Sequence, residues 1–379
     1  MSLRDRLGLD DNAVSPNRRR LLYERYGVLE NPFPPATQPM GHAHLPTVAD
    51  LLIEGRLKTF LNEKNTQAVV VEGTQGTGKT NLLEYYKREL TDIFSDSRGF
   101  YIVRYYADPE PDFGAVVRRI MQEFGTDFLK RVAEKLASHE AAHRRELLTR
   151  IHNPELRRAF HRLANALPSE KELAAEYLLE YLMGLRVFKR HTEALGLHFR
   201  LDTTEAKTMA LHDIVVLSRE LECFEALFLF LDELEKQGSQ PLPIIVRYLS
   251  TIRALIDALP RSMFLLLAMT PDARRRYMEM FPALASRLDQ PVTLKPVENM
   301  DQALGLYHFY LDEGRKAAQS DNESVPWTQG HRDPLDRDQL LEVYSDLSRL
   351  SDRVGVRGGI TQRQLLNRFH MLTESTITF

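Results

Sequence analysis

The stretch Ala68–Thr80, AVVVEGTQGTGKT, decides how this chain is read. It predicts a short buried strand from Ala68 to Val71, then a glycine-rich loop, then the first turn of a helix. Gly73, Gly78, Lys79 and Thr80 fit G-x-x-x-x-G-K-[ST], and Gly76 and Thr77 complete the loop. Glycines at these places let backbone N–H groups curl around phosphate oxygens. The lysine reaches the outer phosphates and the threonine hydroxyl ligates Mg²⁺. The following helix, NLLEYYKREL, points its positive N-terminal end at the same anion. A glycine-rich turn with no ligand is the competing reading, and the strand–loop–helix context argues against it. A nucleoside triphosphate site is the expectation.

With 379 residues the chain has room for two domains, or for one large domain with an appendage. Its 43% hydrophobic and 27% charged residues are ordinary for a soluble globular protein. A formal net charge of −3 gives no global basicity of the kind nucleic acid attracts, although a local basic patch is compatible with it. The one cysteine, Cys223, excludes an internal disulfide framework and a cysteine-based zinc site. It stands just before an apolar strand and reads as a structural thiol. MSLRDRLGLDDNAV lacks the apolar core of a signal peptide, and no apolar run reaches the roughly 18 residues of a membrane span. A cytoplasmic protein without a membrane partner is expected.

Before the first strand, RRRLLYERYGV reads as a short helix, NPFPPATQP as irregular, and LPTVADLLIEGRLKTFLNE as a helix. After the loop, GFYIVRYYADPEP predicts a second strand and DFGAVVRRIMQEFG an amphipathic helix. From about 125 to 220 the pattern is helical, broken near Asn153–Pro154, Pro168 and Gly196. That length marks an insertion, about 125–205. ALFLFLDELEK predicts a third strand, Leu227 to Leu231, ending in Asp232–Glu233. SMFLLLAMTP predicts a fourth, ending at Thr270, and PVTLKPV a short last one. Alternating strands and helices imply an α/β fold, a parallel sheet covered on both faces. The expected organisation is an N-terminal segment 1–45, a core 46–298, and a helical lid 299–379 broken by the polar loop QSDNESVPWTQGHRDP.

An acidic residue that ends a buried strand in a P-loop fold sits beside the phosphates. Asp232 is therefore a candidate Mg²⁺ holder, and Glu233 a candidate base that deprotonates an attacking water. The competing reading is the exposed, charged start of a helix. Thr270 either hydrogen-bonds the γ-phosphate or the water, or caps the helix that begins PDARRR. Arg287, in ALASRLDQ, is a candidate for stabilising transition-state charge on a neighbouring subunit's nucleotide, with a plain surface arginine as the alternative. Arg363, in GGITQRQ, is a candidate to close over the nucleotide from the lid. GGITQRQ follows the Asp–Glu strand, the wrong order for an ABC-transporter signature. The chain also lacks the N-K-x-D motif of a GTPase.

GTQGTGKT, LFLFLDE, the strand ending at Thr270, ALASRL, TLKPVENMDQAL and GGITQRQ occur in the order of a known group. The chain resembles an AAA+ ATPase of the initiator or origin-recognition type over residues 28–379. ENPF ahead of the first strand also resembles that group and its ATP-dependent transposition regulators. LDELEK with TIRALIDALPRSMFLLLAMTP is similar to ATP-binding proteins of BREX-type phage-exclusion systems. The resemblance implies an ATPase using ATP and Mg²⁺. It gives Lys79 and Thr80 the Walker A role, Asp232 and Glu233 Walker B, Thr270 sensor 1, Arg287 the arginine finger and Arg363 sensor 2. No winged-helix domain is expected after the lid, and the insertion is larger than an initiator core needs. DNA binding therefore does not carry over with the resemblance.

A local DNA footprint is offered by HRRELLTRIHNPELRRAFHR, with Arg144, Arg145, Arg150, Arg157, Arg158 and Arg162. The competing reading is a solvated helical face. The leading expectation is a nucleotide-switched homo-oligomer, ring or filament, acting on duplex DNA in a prokaryotic defence or mobile-element system. A STAND-type switch that recruits a protein effector without DNA is the alternative, and a helicase-like motor the third.

Overall fold

The computed structural model describes residues 20, 22–37, 41–109, 112–288, 290–320, 332–353 and 359–378. Most of the polar loop 319–334, and parts of RRRLLYERYGV, NPFPPATQP and GGITQRQ, lie outside the described residues.

The strands are β1 (Gln67–Glu72), β2 (Phe100–Tyr106), β3 (Ala226–Asp232), β4 (Met263–Met269) and β5 (Val292–Thr293). They form one sheet in the order β2-β3-β4-β1-β5, and every pairing is parallel. β3 and β4 are flanked on both sides and buried along their whole length, which is why ALFLFLD and MFLLLAM read as unbroken apolar runs. The last strand is shorter than PVTLKPV suggested. Beyond Thr293 the segment leaves the sheet, and Val297 instead bridges Ile360.

The helices are α1 (Val48–Glu63), α2 (Lys79–Ile93), α3 (Gly114–Ser138), α4 (Ala141–Thr149), α5 (Pro154–Asn165), α6 (Pro168–Leu182), α7 (Lys189–Leu195), α8 (Thr204–Glu220), α9 (Leu242–Ala258), α10 (Pro271–Met280), α11 (Pro282–Ala285), α12 (Met300–Ser320), α13 (Arg337–Arg353) and α14 (Gln362–Thr378). The chain divides into two compact units, one of Val48–Glu72 and Tyr86–Thr293, the other of Met1–Thr47, Gly73–Tyr85 and Leu294–Phe379.

In the first unit Phe60 of α1 packs on Phe228 and Phe264, which cover one face of the sheet. Leu227, Leu229, Leu231, Leu265 and Leu267 point the other way, into a core shared with α3 and α9. The sheet is thus covered on both faces, as a parallel sheet must be. The same core runs on into the insertion through Leu156, Phe160, Leu163 and Leu178. Each break read from the sequence ends or begins a helix. Asn153 caps α5 with its side chain, Pro168 opens α6, and Gly196 closes α7 in a left-handed conformation.

The second unit has its own core, built on Phe33, Tyr307, Tyr310, Leu365 and Phe369. The phrase ENPF belongs to it. Phe33 stacks on Tyr307 with ring centroids 5.0 Å apart, and the Asn31 amide donates to the His370 carbonyl at 3.0 Å. Among the described residues no helix is long and apolar enough to cross a membrane.

Candidate functional site

β1 ends at Glu72 and the chain passes at once into the glycine-rich loop. Gly76 and Gly78 take φ of +86° and +97°, values that L side chains rarely adopt, so the loop needs glycine at both. Thr77 is buried and donates its hydroxyl to the Thr74 carbonyl at 2.8 Å, which pins the turn. Lys79 is buried too. Its ammonium donates to the carbonyls of Gly73 at 2.8 Å and Thr74 at 3.3 Å, so it lies across the mouth of its own loop. Thr80 follows it in the first turn of α2.

The start of α14 sits on this loop. The Arg363 N–H donates to the Gly76 carbonyl at 3.2 Å. A methyl group placed on Gly76 would meet Thr361 Oγ1 at 3.1 Å and Arg363 Cβ at 3.3 Å, and one on Gly78 would meet Gln362 Oε1 at 3.0 Å. Thr361 and Gln364 close a capping box. Gln364 Oε1 accepts the Thr361 N–H at 2.9 Å, and Thr361 Oγ1 accepts the Gln364 N–H at 3.3 Å. Two helix N-termini, those of α2 and α14, therefore border the same loop, and each favours an anion. Sequence reasoning singled out Arg363; it missed Thr361 and Gln362, although T-x-x-Q is a visible helix-start signature.

In the sheet, Glu72 pairs with Met269, Tyr106 with Asp232 and Leu231 with Leu267, so these strands end close to one level. In parallel α/β sheets the carboxyl edge of the strands is where ligands are held. Asp232 is completely buried. Its Oδ2 lies 2.8 Å from Arg104 Nη2, an arginine on β2 that is itself buried, and its Oδ1 accepts the Glu233 N–H at 2.9 Å. Sequence reasoning did not single out Arg104. Its signal is a lone arginine inside the apolar strand FYIVRYY.

Glu233 has φ +55° and ψ +38°, a left-handed conformation that is uncommon for a non-glycine residue. Its Oε2 lies 2.6 Å from Lys236 Nζ, while Asp108 Oδ1 stands 3.6 Å from the same ammonium. The hydrogen bond to Glu233 is the main reason that Lys236 is pushed above the usual lysine range, with Asp108 contributing less. Glu233 is neither buried nor free; it is a carboxylate parked on a cation.

Thr270 adopts the capping alternative, its Oγ1 accepting the Ala273 N–H at 3.3 Å. The hydroxyl proton is left over for another acceptor. Arg287 lies half-exposed with Nε 2.7 Å from Asp257 Oδ1 and Nη1 3.1 Å from Ser286 Oγ.

Arg145, Arg150, Arg158 and Arg162 are exposed and Arg144 and Arg157 half-buried, yet most of these arginines bond to their own chain. Arg144 donates to Asn165 and to the Ala137 and His139 carbonyls, Arg157 to the Ile151 carbonyl, Arg158 to Glu155 and Gly196, and Arg162 to the Thr192 and Glu193 carbonyls. Arg150 faces Glu220 at 3.7 Å. Most of the stretch that read as a phosphate-binding face thus closes helix ends and turns. Charge spacing along a helix cannot distinguish these uses, because the carbonyl partners come from other segments.

No family model matches this chain, and no curated protein matches it. Among solved structures it is similar to the ORC2 protein of Aeropyrum pernix, determined as ADPNP and ADP complexes. The match has 14% identity and a TM-score of 0.41, over 86% of this chain and 67% of that one. The architecture itself is that of an α/β P-loop NTPase: a parallel sheet, a phosphate-loop motif at the end of one strand, and a helix leading away from it.

Proposed function

We propose that the protein binds and hydrolyses ATP as an AAA+ ATPase, and that nucleotide switches its assembly. The observation that carries this reading is the loop Gly73–Thr80: positive-φ glycines, a buried lysine drawn over the loop carbonyls, and Arg363 hydrogen-bonded to Gly76. A lysine held by carbonyls at 2.8 and 3.3 Å is already dehydrated and aimed at the cradle, so it exchanges those oxygens for phosphate at small cost. The loop residues fit a triphosphate, and by their sequence motifs Thr80 and Asp232 are the candidates to hold Mg²⁺. The metal supplies charge neutralisation on the phosphoryl oxygens when bound.

The chain's own residues do the rest. Lys79 and the loop N–H groups orient the phosphates. Glu233 leaves Lys236 and takes a proton from water. Thr270, with a hydroxyl proton to spare, orients that water or the γ-phosphate. Arg363 adds a cation beside Gly76. Arg287, released from Asp257, serves a neighbouring copy in a homo-oligomeric ring or filament.

The short phrases LDELEK and TIRALIDALPRSMFLLLAMTP support a setting in a prokaryotic defence or mobile-element system. Within that setting, one observation favours a scaffold that recruits a protein effector over action on duplex DNA: most of the insertion's arginines are spent on their own chain. The test combines phosphate release with light scattering, in Mg²⁺ with and without ATP, followed by duplex binding at several salt concentrations. Hydrolysis with ATP-dependent growth in mass supports the switch. Salt-dependent duplex binding would restore the DNA-acting form, and absence of hydrolysis would remove the enzyme.

A further inference from the structure

We propose that His152, His212 and Asp213 form a binding site for one divalent transition-metal ion of the zinc class. The site lies in the helical insertion and takes no part in the nucleotide chemistry described above. His152 stands in the turn between α4 and α5, and His212 and Asp213 stand on α8.

Asp213 is completely buried between the core residues Leu211 and Ile214, a place where an isolated carboxylate is costly. Its Oδ2 accepts the Asn153 N–H at 2.9 Å. Its Oδ1 faces Nδ1 of His152 at 2.8 Å and Nδ1 of His212 at 3.3 Å. One ligand atom from each residue lies within 4.8 Å of the other two.

The separations suit a small cation. An ion about 2.1 Å from each ligand atom would see the 2.8 and 3.3 Å pairs at about 84° and 104°, the first near an octahedral angle and the second near a tetrahedral one. Two imidazoles and a carboxylate form a donor set that suits zinc and its first-row neighbours rather than Mg²⁺ or Ca²⁺. The Asn153 N–H orients the carboxylate from behind, as supporting groups do in metal sites. The turn is also preordered: Asn153 caps α5 and its amide donates to the Tyr181 hydroxyl at 3.2 Å. His152 is 66% exposed, which leaves solvent access for entry and for water ligands. An ion here would fasten the α4–α5 turn to α8, the helix that leads into β3.

The test uses the full chain without nucleotide, after dialysis against a chelator. Zn²⁺ is titrated calorimetrically and Co²⁺ by its visible absorption. The wild type should take up one equivalent of Zn²⁺, and Co²⁺ should develop d–d bands. His152→Ala, on an exposed ring, and His212→Ala should each weaken uptake by at least about tenfold, and the double variant should lose it. Zn²⁺ should raise the Tm of the wild type and leave that of His152→Ala nearly unchanged. The proposal is overturned if the wild type takes up neither ion in stoichiometric amount, which would leave a carboxylate hydrogen-bonded by two imidazoles. Uptake unchanged in His152→Ala would also overturn it.

Discussion

The backbone N–H of Arg363 donates to the carbonyl of Gly76 at 3.2 Å, so the first turn of α14 is fastened to the phosphate loop through main chain. The side chain of Arg363 is not needed for that contact. Arg363→Ala should therefore keep the Tm within a few degrees of wild type while lowering ATP turnover. Gly76→Ala should do both kinds of damage, because it needs φ +86° and would push a methyl against Thr361 and Arg363. Its cost to stability should be about 1 kcal/mol or more. Thermal melts beside phosphate release distinguish the two variants, and a normal turnover in Arg363→Ala would remove its role at the nucleotide.

The Arg104–Asp232 pair lies inside the sheet, with both side chains almost fully buried. Removing one member of such a pair strands the other charge. Arg104→Met should cost about 3–5 kcal/mol by urea denaturation. A loss below about 1 kcal/mol would mean that Asp232 is satisfied without the guanidinium, leaving the ion pair incidental.

Glu233→Gln should bind nucleotide as the wild type does and lose turnover by about 10²–10⁴-fold, since an amide occupies the place of the carboxylate but cannot take a proton. Lys236→Met should behave in the opposite way. It removes the cation on which Glu233 is parked at 2.6 Å, so the rate constant should rise with affinity unchanged. A Lys236→Met protein as slow as Glu233→Gln would give Lys236 an activating part instead.

Arg287 rests on Asp257 of its own chain at 2.7 Å. If it serves a neighbouring copy, Arg287→Ala should hydrolyse slowly while holding ATP normally. Mixing it with Lys79→Ala should recover part of the rate, because each variant supplies what the other lacks. Wild-type turnover by a monomeric Arg287→Ala protein would contradict a shared site.

The strands and the loop were legible because their signals are local. Apolar runs such as ALFLFLD need only burial on both faces, and Gly76 and Gly78 of GTQGTGKT mark backbone that other residues rarely adopt. Helix breaks at Pro154, Pro168 and Gly196 are local in the same way. What could not be read were pairings set by the fold. Arg104 meets Asp232 because β2 lies beside β3, and Arg158 and Arg162 of the insertion meet carbonyls more than thirty residues along the chain. His152 and Asp213 likewise come together only after the helices between them have packed. Thr270 was ambiguous for a different reason: a capping hydroxyl and a catalytic one require the same residue type at the same strand end.

The central claim is that Gly73–Thr80 holds a nucleotide through Lys79. It is tested most directly by calorimetric titration of ATP with Mg²⁺ into the wild type and into Lys79→Ala. Saturable binding of one ATP per chain by the wild type, lost in Lys79→Ala at an unchanged Tm, is the result expected here. Failure of the wild type to bind, or equal affinity in both proteins, would contradict it.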